Sequence, residues 1–153
     1  MWNLTRFSFG ASAAIITSMA LIVGLGSANS GKNGIIGGLL IIAVADNLSD
    51  TLSIHIYEEG KVGAATPIGT SISNYVARLL VACSFVALVL VLPLDPARWV
   101  NVLWGALLLS VLSYFIARRK SVRPVPEIAK HLIVAAAVIG LSQLIGSVIA
   151  SLV

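Results

Sequence analysis

The stretch Ile41–Glu59, IIAVADNLSDTLSIHIYEE, concentrates the polar chemistry of the chain. Read as a helix, it places Asp46, Asp50, Ser53 and Tyr57 within roughly a 60° arc, because steps of four, three and four residues stack along one face. Two carboxylates at that spacing can bind a cation, carry a proton or pair with a basic side chain. A carboxylate held ionised at membrane depth costs at least about 2.5–3.5 kcal/mol on insertion scales, so it normally faces a bundle interior, a water cavity, a partner cation or a transported ion. Asp46 and Asp50 are therefore the candidate ion or proton site, with Asn47, Ser49 and Ser53 as secondary oxygen ligands. Further along, His55 and Glu59 stand one helical turn apart beside Glu58. Nitrogen and oxygen donors at that spacing can take a divalent metal at the mouth of the segment, or form a solvated helix end and nothing more.

The elements that must position these groups are apolar. Of 153 residues, 58% are hydrophobic and only 10% charged, and the mean hydropathy is +1.01. That composition lies outside the soluble range and defines an all-α integral membrane protein. Five apolar segments, at 7–26, 34–57, 72–93, 98–117 and 129–152, each approach the roughly 20 residues needed to cross the hydrocarbon. They are separated by turn and breaker chemistry: SANSGKNG, GKVGAATPIGTS, LPLDPAR and ARRKSVRPVPE. No stretch outside them is long enough to bury a soluble core, so the chain reads as a single transmembrane domain. The first run, Phe7–Leu25, is long for the core of a signal peptide and reads as a retained helix.

The net charge of +4 is a topology signal and does not indicate nucleic acid, since the basic residues sit at helix ends without aromatic interleaving. Arg6, Lys61, Arg118, Arg119, Lys120, Arg123 and Lys130 share one side, against Lys32 and Arg98 on the other. The positive-inside rule then puts the N-terminus in the cytoplasm and the C-terminus outside. Trp99 and Trp104 fit an interfacial aromatic belt, and His131 an interfacial position beside Lys130. The single cysteine, Cys83, reads as inert packing. Small residues at Gly10, Gly24, Gly26, Gly34, Gly37, Gly38, Gly140, Ser142, Gly146 and Ser147 suggest close helix approach, in the core or at a dimer seam.

At about 1.5 Å per residue, Asp50 lies roughly 10 Å and Asp46 roughly 16 Å from the cytoplasmic end of the second segment, and Arg78 roughly 9 Å from the same end of the third. Arg78 and Asp50 are thus level: either they pair, or Arg78 snorkels to the headgroups. Asp46 is left without a basic partner: either it is protonated at rest and hydrogen-bonded to groups such as Thr17 or Gln143, or it binds a cation, and titration between those states is how a proton-coupled carrier works. No Ser/His/Asp arrangement, H-E-x-x-H or phosphate-cradling loop is present, so an enzyme is not expected.

Taken together, the segments resemble the vacuolar iron transporter (VIT) family, whose members exchange divalent iron or manganese for protons. GASAAIITSMALIVGL, residues 10–25, is similar to the family's G-A-S-D-G, apolar run and G-L. GLLIIAVADNLSDTLSIHIYEE resembles its small-residue helix running into S-M-x-x-G-E-Y, and IAKHLIVAAAVIGLSQLIGSVIASL its closing helix with a late I-G pair. Ala13 and Ala14 stand where the family has an aspartate and a glycine, Asp50 replaces the methionine after Ser49, and Ser53, Ile54 and His55 replace G-E-Y. The family's cytoplasmic metal-binding domain gives way to Glu58–Ser71. The resemblance implies a VIT-like five-helix bundle, a homodimer, and transport of a divalent cation of the manganese or iron class by proton antiport, the metal being cargo with no resident cofactor. Oxygen-only ligands favour manganese, magnesium or calcium over a thioether-assisted iron site, and Arg78 would set the charge of the site. The alternative is a non-transporting scaffold or assembly subunit that keeps the fold, with Asp50–Arg78 as a buried structural pair. The membrane would be the cell membrane in a prokaryote, or a vacuolar-type organelle membrane in a eukaryote.

Overall fold

The computed structural model describes residues 4–60 and 68–152. Lys61 and most of the loop between the second and third segments lie outside the described residues, as do the side chains of Arg6 and Glu58. The described chain is helical apart from its turns: α1 (Leu4–Ser27), α2 (Lys32–Ile41), a π-helical turn (Ile42–Asp46), α3 (Asn47–Glu59), α4 (Ile68–Val91), α5 (Leu94–Arg119) and α6 (Pro124–Leu152). Because α2, the π turn and α3 run on as one rod, five helices are long and apolar enough to cross a membrane, as a multi-pass membrane protein requires.

The sequence segments correspond one to one with these rods, but each rod begins earlier than its apolar run suggests. Polar residues extend a helix beyond the hydrocarbon. In α5 the Pro93 carbonyl accepts the Ala97 N–H at 2.9 Å, so the fourth rod starts at Leu94. In α6 Pro124 occupies the first position, where its missing N–H costs nothing and its φ is already helical.

Two turns reverse the chain without glycine in the left-handed position. Asn29 (φ 58°) follows α1, and the Ser30 N–H reaches back to the Leu25 carbonyl at 3.0 Å. Ser121 (φ 55°) follows α5, with the Val122 N–H on the Ala117 carbonyl at 3.1 Å. Both satisfy carbonyls that a helix end leaves unpaired. Lys32 does the same for α4 from a distance, donating to the Leu90 carbonyl at 2.8 Å and the Leu92 carbonyl at 3.0 Å.

Half of the α1 spanning window is buried, against 11% for α6, so α1 is the axis of the bundle and α6 lies on its rim. Ile15, Met19 and Ile22 of α1 pack with Ile35, Leu39, Phe85, Val89 and Leu109. The buried line on α5 falls on every fourth residue: Ala97, Asn101, Gly105, Leu109, Ser113 and Ala117. Since lipid supplies no hydrophobic drive for association, fit decides these contacts. A Cβ on Gly105 would run into the Met19 thioether, and one on Gly146 would press on the Gly24 carbonyl and come within 2.9 Å of Ser27 Cβ. Gly37 and Gly140 have only open space within reach, and Gly34 only an ordinary contact with Ser30 of the preceding turn, so the small residues divide into seam and surface. Cys83 is exposed rather than packed inside.

Gly146→Val is therefore expected to cost about 1–3 kcal/mol through overpacking against backbone, lowering the Tm of the purified protein by about 4 °C or more. Gly140→Val should move it by less than about 2 °C. Scanning fluorimetry on the two variants checks the distinction.

Candidate functional site

The site begins with the line Ile35, Leu39, Ala43, Asn47, all buried. Four-residue steps drift by about 40° each on an α-helix, and the wider π turn takes up part of that drift. The Asn47 N–H skips to the Ile42 carbonyl. The Ala43 carbonyl, which a regular turn would pair with it, accepts the Asn47 side-chain amide at 2.8 Å. Asn47 is thereby fixed with its side-chain oxygen directed into the bundle. Asp46 and Asp50 lie about 100° and 60° to one side of it on the same helix, which leaves both carboxylates on the edge of the buried face, 48% and 45% exposed.

Arg78 of α4 fills the space that Asn47 faces, and its side chain is 1% exposed. Its Nε donates to Asn47 Oδ1 at 2.6 Å, one terminal nitrogen donates to Asp50 Oδ2, and the other donates to Asp46 Oδ2 at 3.2 Å. A planar fork of donors suits this split arrangement, which a lysine cannot reproduce. Two carboxylates share one guanidinium, so by formal charge the acids outnumber the base by one.

Sequence depth placed Arg78 level with Asp50, and the two do meet; Arg78 does not snorkel. The expectation that Asp46 lacks a basic partner is overturned, because the terminal nitrogens of one guanidinium reach carboxylates one turn apart. Thr17 does not donate to it: its hydroxyl bonds back to the Ala13 carbonyl at 2.9 Å, and Gln143 is exposed on α6. Asn47 is not a free oxygen ligand, since its oxygen is committed to Arg78. Ser53 donates to the Ser49 carbonyl at 2.9 Å, and both serines lie on the exposed side of α3. At the end of α3, His55 Nε2 and Glu59 Oε1 pair at 3.1 Å. Among the described residues no group of three or more His, Cys, Asp or Glu converges to hold a metal ion.

Other polar contacts were not anticipated. Ser113 and His131 Nδ1 stand 2.8 Å apart, tying the end of α5 to the start of α6. Trp104 Nε1 donates to Ser84 at 3.0 Å, so this indole joins α5 to α4, while Trp99 is the exposed, belt-like one. Asn74, one turn before Arg78, is 2% exposed. Its spacing of four from Arg78 in SNYVAR was the available signal.

No family model matches the chain, and no curated protein or solved structure matches it.

Removing the guanidinium leaves two carboxylates uncompensated. Arg78→Leu is expected to cost about 3 kcal/mol, the low end for a buried pair because both acids are half-exposed. Adding Asp50→Asn should restore part of the loss. Unfolding midpoints in detergent measure both, and an Arg78→Leu protein as stable as the parent would rule out the anchoring role.

Proposed function

We propose that the protein is a VIT-like membrane carrier that moves a divalent metal cation, of the manganese or iron class, in exchange for protons. Asp46 and Asp50 are the exchanging carboxylates, and Arg78 is the internal counter-charge that occupies them when no cargo is bound. The observation that carries this reading is the unequal charge count: two half-exposed carboxylates and one sealed guanidinium at spanning depth. A site with one more acid than base attracts a cation, which would bind through the carboxylate oxygens Arg78 does not use or displace its terminal nitrogens from Asp46 and Asp50, while Asn47 retains Nε. Ser49 and Ser53 flank the acids on the exposed side and are the remaining oxygen donors.

The same half-exposure argues for a second copy of the chain. Half-exposed carboxylates at the edge of a spanning helix's buried face are costly against lipid, and a homodimer that covers this edge keeps them in a polar seam. The crowd of Arg118, Arg119, Lys120, Arg123 and Lys130 at one end of the bundle marks that end as cytoplasmic, with the N-terminus inside and the C-terminus outside.

The second reading is a non-transporting scaffold or assembly subunit. It is favoured by the seal on Arg78, which is 1% exposed and bonded to three side chains of the adjoining rod, a geometry that also serves to lock two helices.

Flux of manganese, iron and calcium into proteoliposomes, with and without an imposed pH gradient, separates the two. Gradient-dependent uptake is expected, and Asp46→Asn should abolish it while leaving thermal stability nearly intact. Absence of uptake from well-folded protein, together with refolding of a charge-swapped Asp50→Arg, Arg78→Asp variant, would establish the scaffold instead.

A further inference from the structure

The turn from α5 to α6 carries a concentration of positive charge that the protein itself does not answer. From Arg118 to Lys130 the sequence RRKSVRPVPEIAK holds five cations and one acid. Lys130 takes that acid, Glu127, at 2.8 Å. Arg118, Arg119, Lys120 and Arg123 are exposed, and among the described residues none of them pairs with a carboxylate. The backbone holds the four together: the Lys120 N–H bonds to the Ile116 carbonyl at 3.0 Å and the Val122 N–H to the Ala117 carbonyl at 3.1 Å, so the chain reverses at once. Neighbouring charges on so short a turn lie within about a Debye length of one another, and their fields add. The positive-inside asymmetry accounts for which end of the bundle carries cations. It does not require that four stand side by side without an anion.

The missing anion belongs to the membrane surface. The turn joins two spanning helices directly. The Arg118 guanidinium lies 6.0 Å from the centre of the Tyr114 ring, one turn back along α5, so this side chain folds toward the bilayer and not away from it. Val122 and Val125, 44% and 75% exposed, alternate with the cations. Exposed apolar side chains among basic ones suit the boundary between headgroups and acyl chains, where both find their solvent.

We propose that the α5–α6 turn is a binding surface for anionic phospholipid headgroups. Arg118, Arg119, Lys120 and Arg123 pair with phosphates whose charge no choline cancels, while Val122 and Val125 rest against the acyl boundary. The proposal rests on unpaired cations and not on transport, so it and the carrier reading stand or fall separately.

The test is fluorescence anisotropy of an acyl-labelled phosphatidylglycerol in neutral detergent micelles holding the full chain. Near an anionic surface each Lys or Arg is worth about a fivefold gain in binding, so unlabelled phosphatidylglycerol should displace the probe at a concentration at least about fivefold lower than phosphatidylcholine does. The triple variant Arg119→Gln, Lys120→Gln, Arg123→Gln should bring that ratio to within about twofold of unity, whereas Arg98→Gln, at the other end of α5, should leave it as in the parent. Sodium phosphate should displace the probe no better than sodium chloride of equal ionic strength. A parent protein that does not distinguish the two lipids overturns the proposal. So does a preference that survives the triple variant or falls with Arg98→Gln, or displacement by inorganic phosphate beyond that by chloride. If the triple variant does not fold, Lys120→Gln alone is read in its place, with the ratio expected to drop by about half.

Discussion

A positive charge that solvent does not reach is the constraint around which one end of this bundle is built. Desolvating a guanidinium is expensive unless every direction in which it points is answered. Arg78 is answered by Asn47 along its stem and by two carboxylates at its tip, and each answer carries a condition on the backbone. Asn47 reaches inward only because the turn before it is π-helical. The carboxylates reach the tip only because they flank one edge of the same face. On α1, Gly10 must lack a side chain because the Asn74 amide, one turn before Arg78 on α4, occupies that space, with the arginine stem beside it. Three helices thus meet around Arg78 and its neighbour.

Much of this was readable beforehand. The five spans follow from length and apolarity alone, and the rise of a helix was enough to put Arg78 beside Asp50. The rotational phase of the helices was not readable. In a soluble helix, polar residues mark the outward face, but here lipid-facing and core-facing residues are both apolar, and α5 and α6 carry almost no periodic contrast. Hence Gly146 and Gly140 look equivalent in the sequence, although one lies against the Gly24 carbonyl and the other on the surface. The same blindness hid the partner of Asp46. Depth counted along the backbone separates Asp46 from Arg78, whereas the long arginine side chain and its fork span that difference. The left-handed turns at Asn29 and Ser121 were obscured for a different reason, since neither position carries the glycine that usually announces them.

Two features give the site its ambiguous character. The guanidinium is sealed as a structural ion would be, and the carboxylates are half-open as ligands would be. In the loop-ward half of α3, by contrast, the chemistry is self-contained: Ser53 bonds its own helix and His55 pairs with Glu59. Around Arg78, the unmet demand lies with the two half-exposed acids and with the unpaired Asn74 amide one turn before it.

The every-fourth-residue line on α5 has a mechanical consequence. Each step advances about 6 Å along the axis and turns about 40°, so from Ala97 to Ala117 the contact line winds through roughly 200°. Its neighbours change accordingly, from Met19 of α1 beside Gly105 to His131 of α6 beside Ser113. A helix held along such a thread cannot slide without rotating or rotate without advancing, so any displacement of α5 through this bundle is a screw motion of fixed pitch.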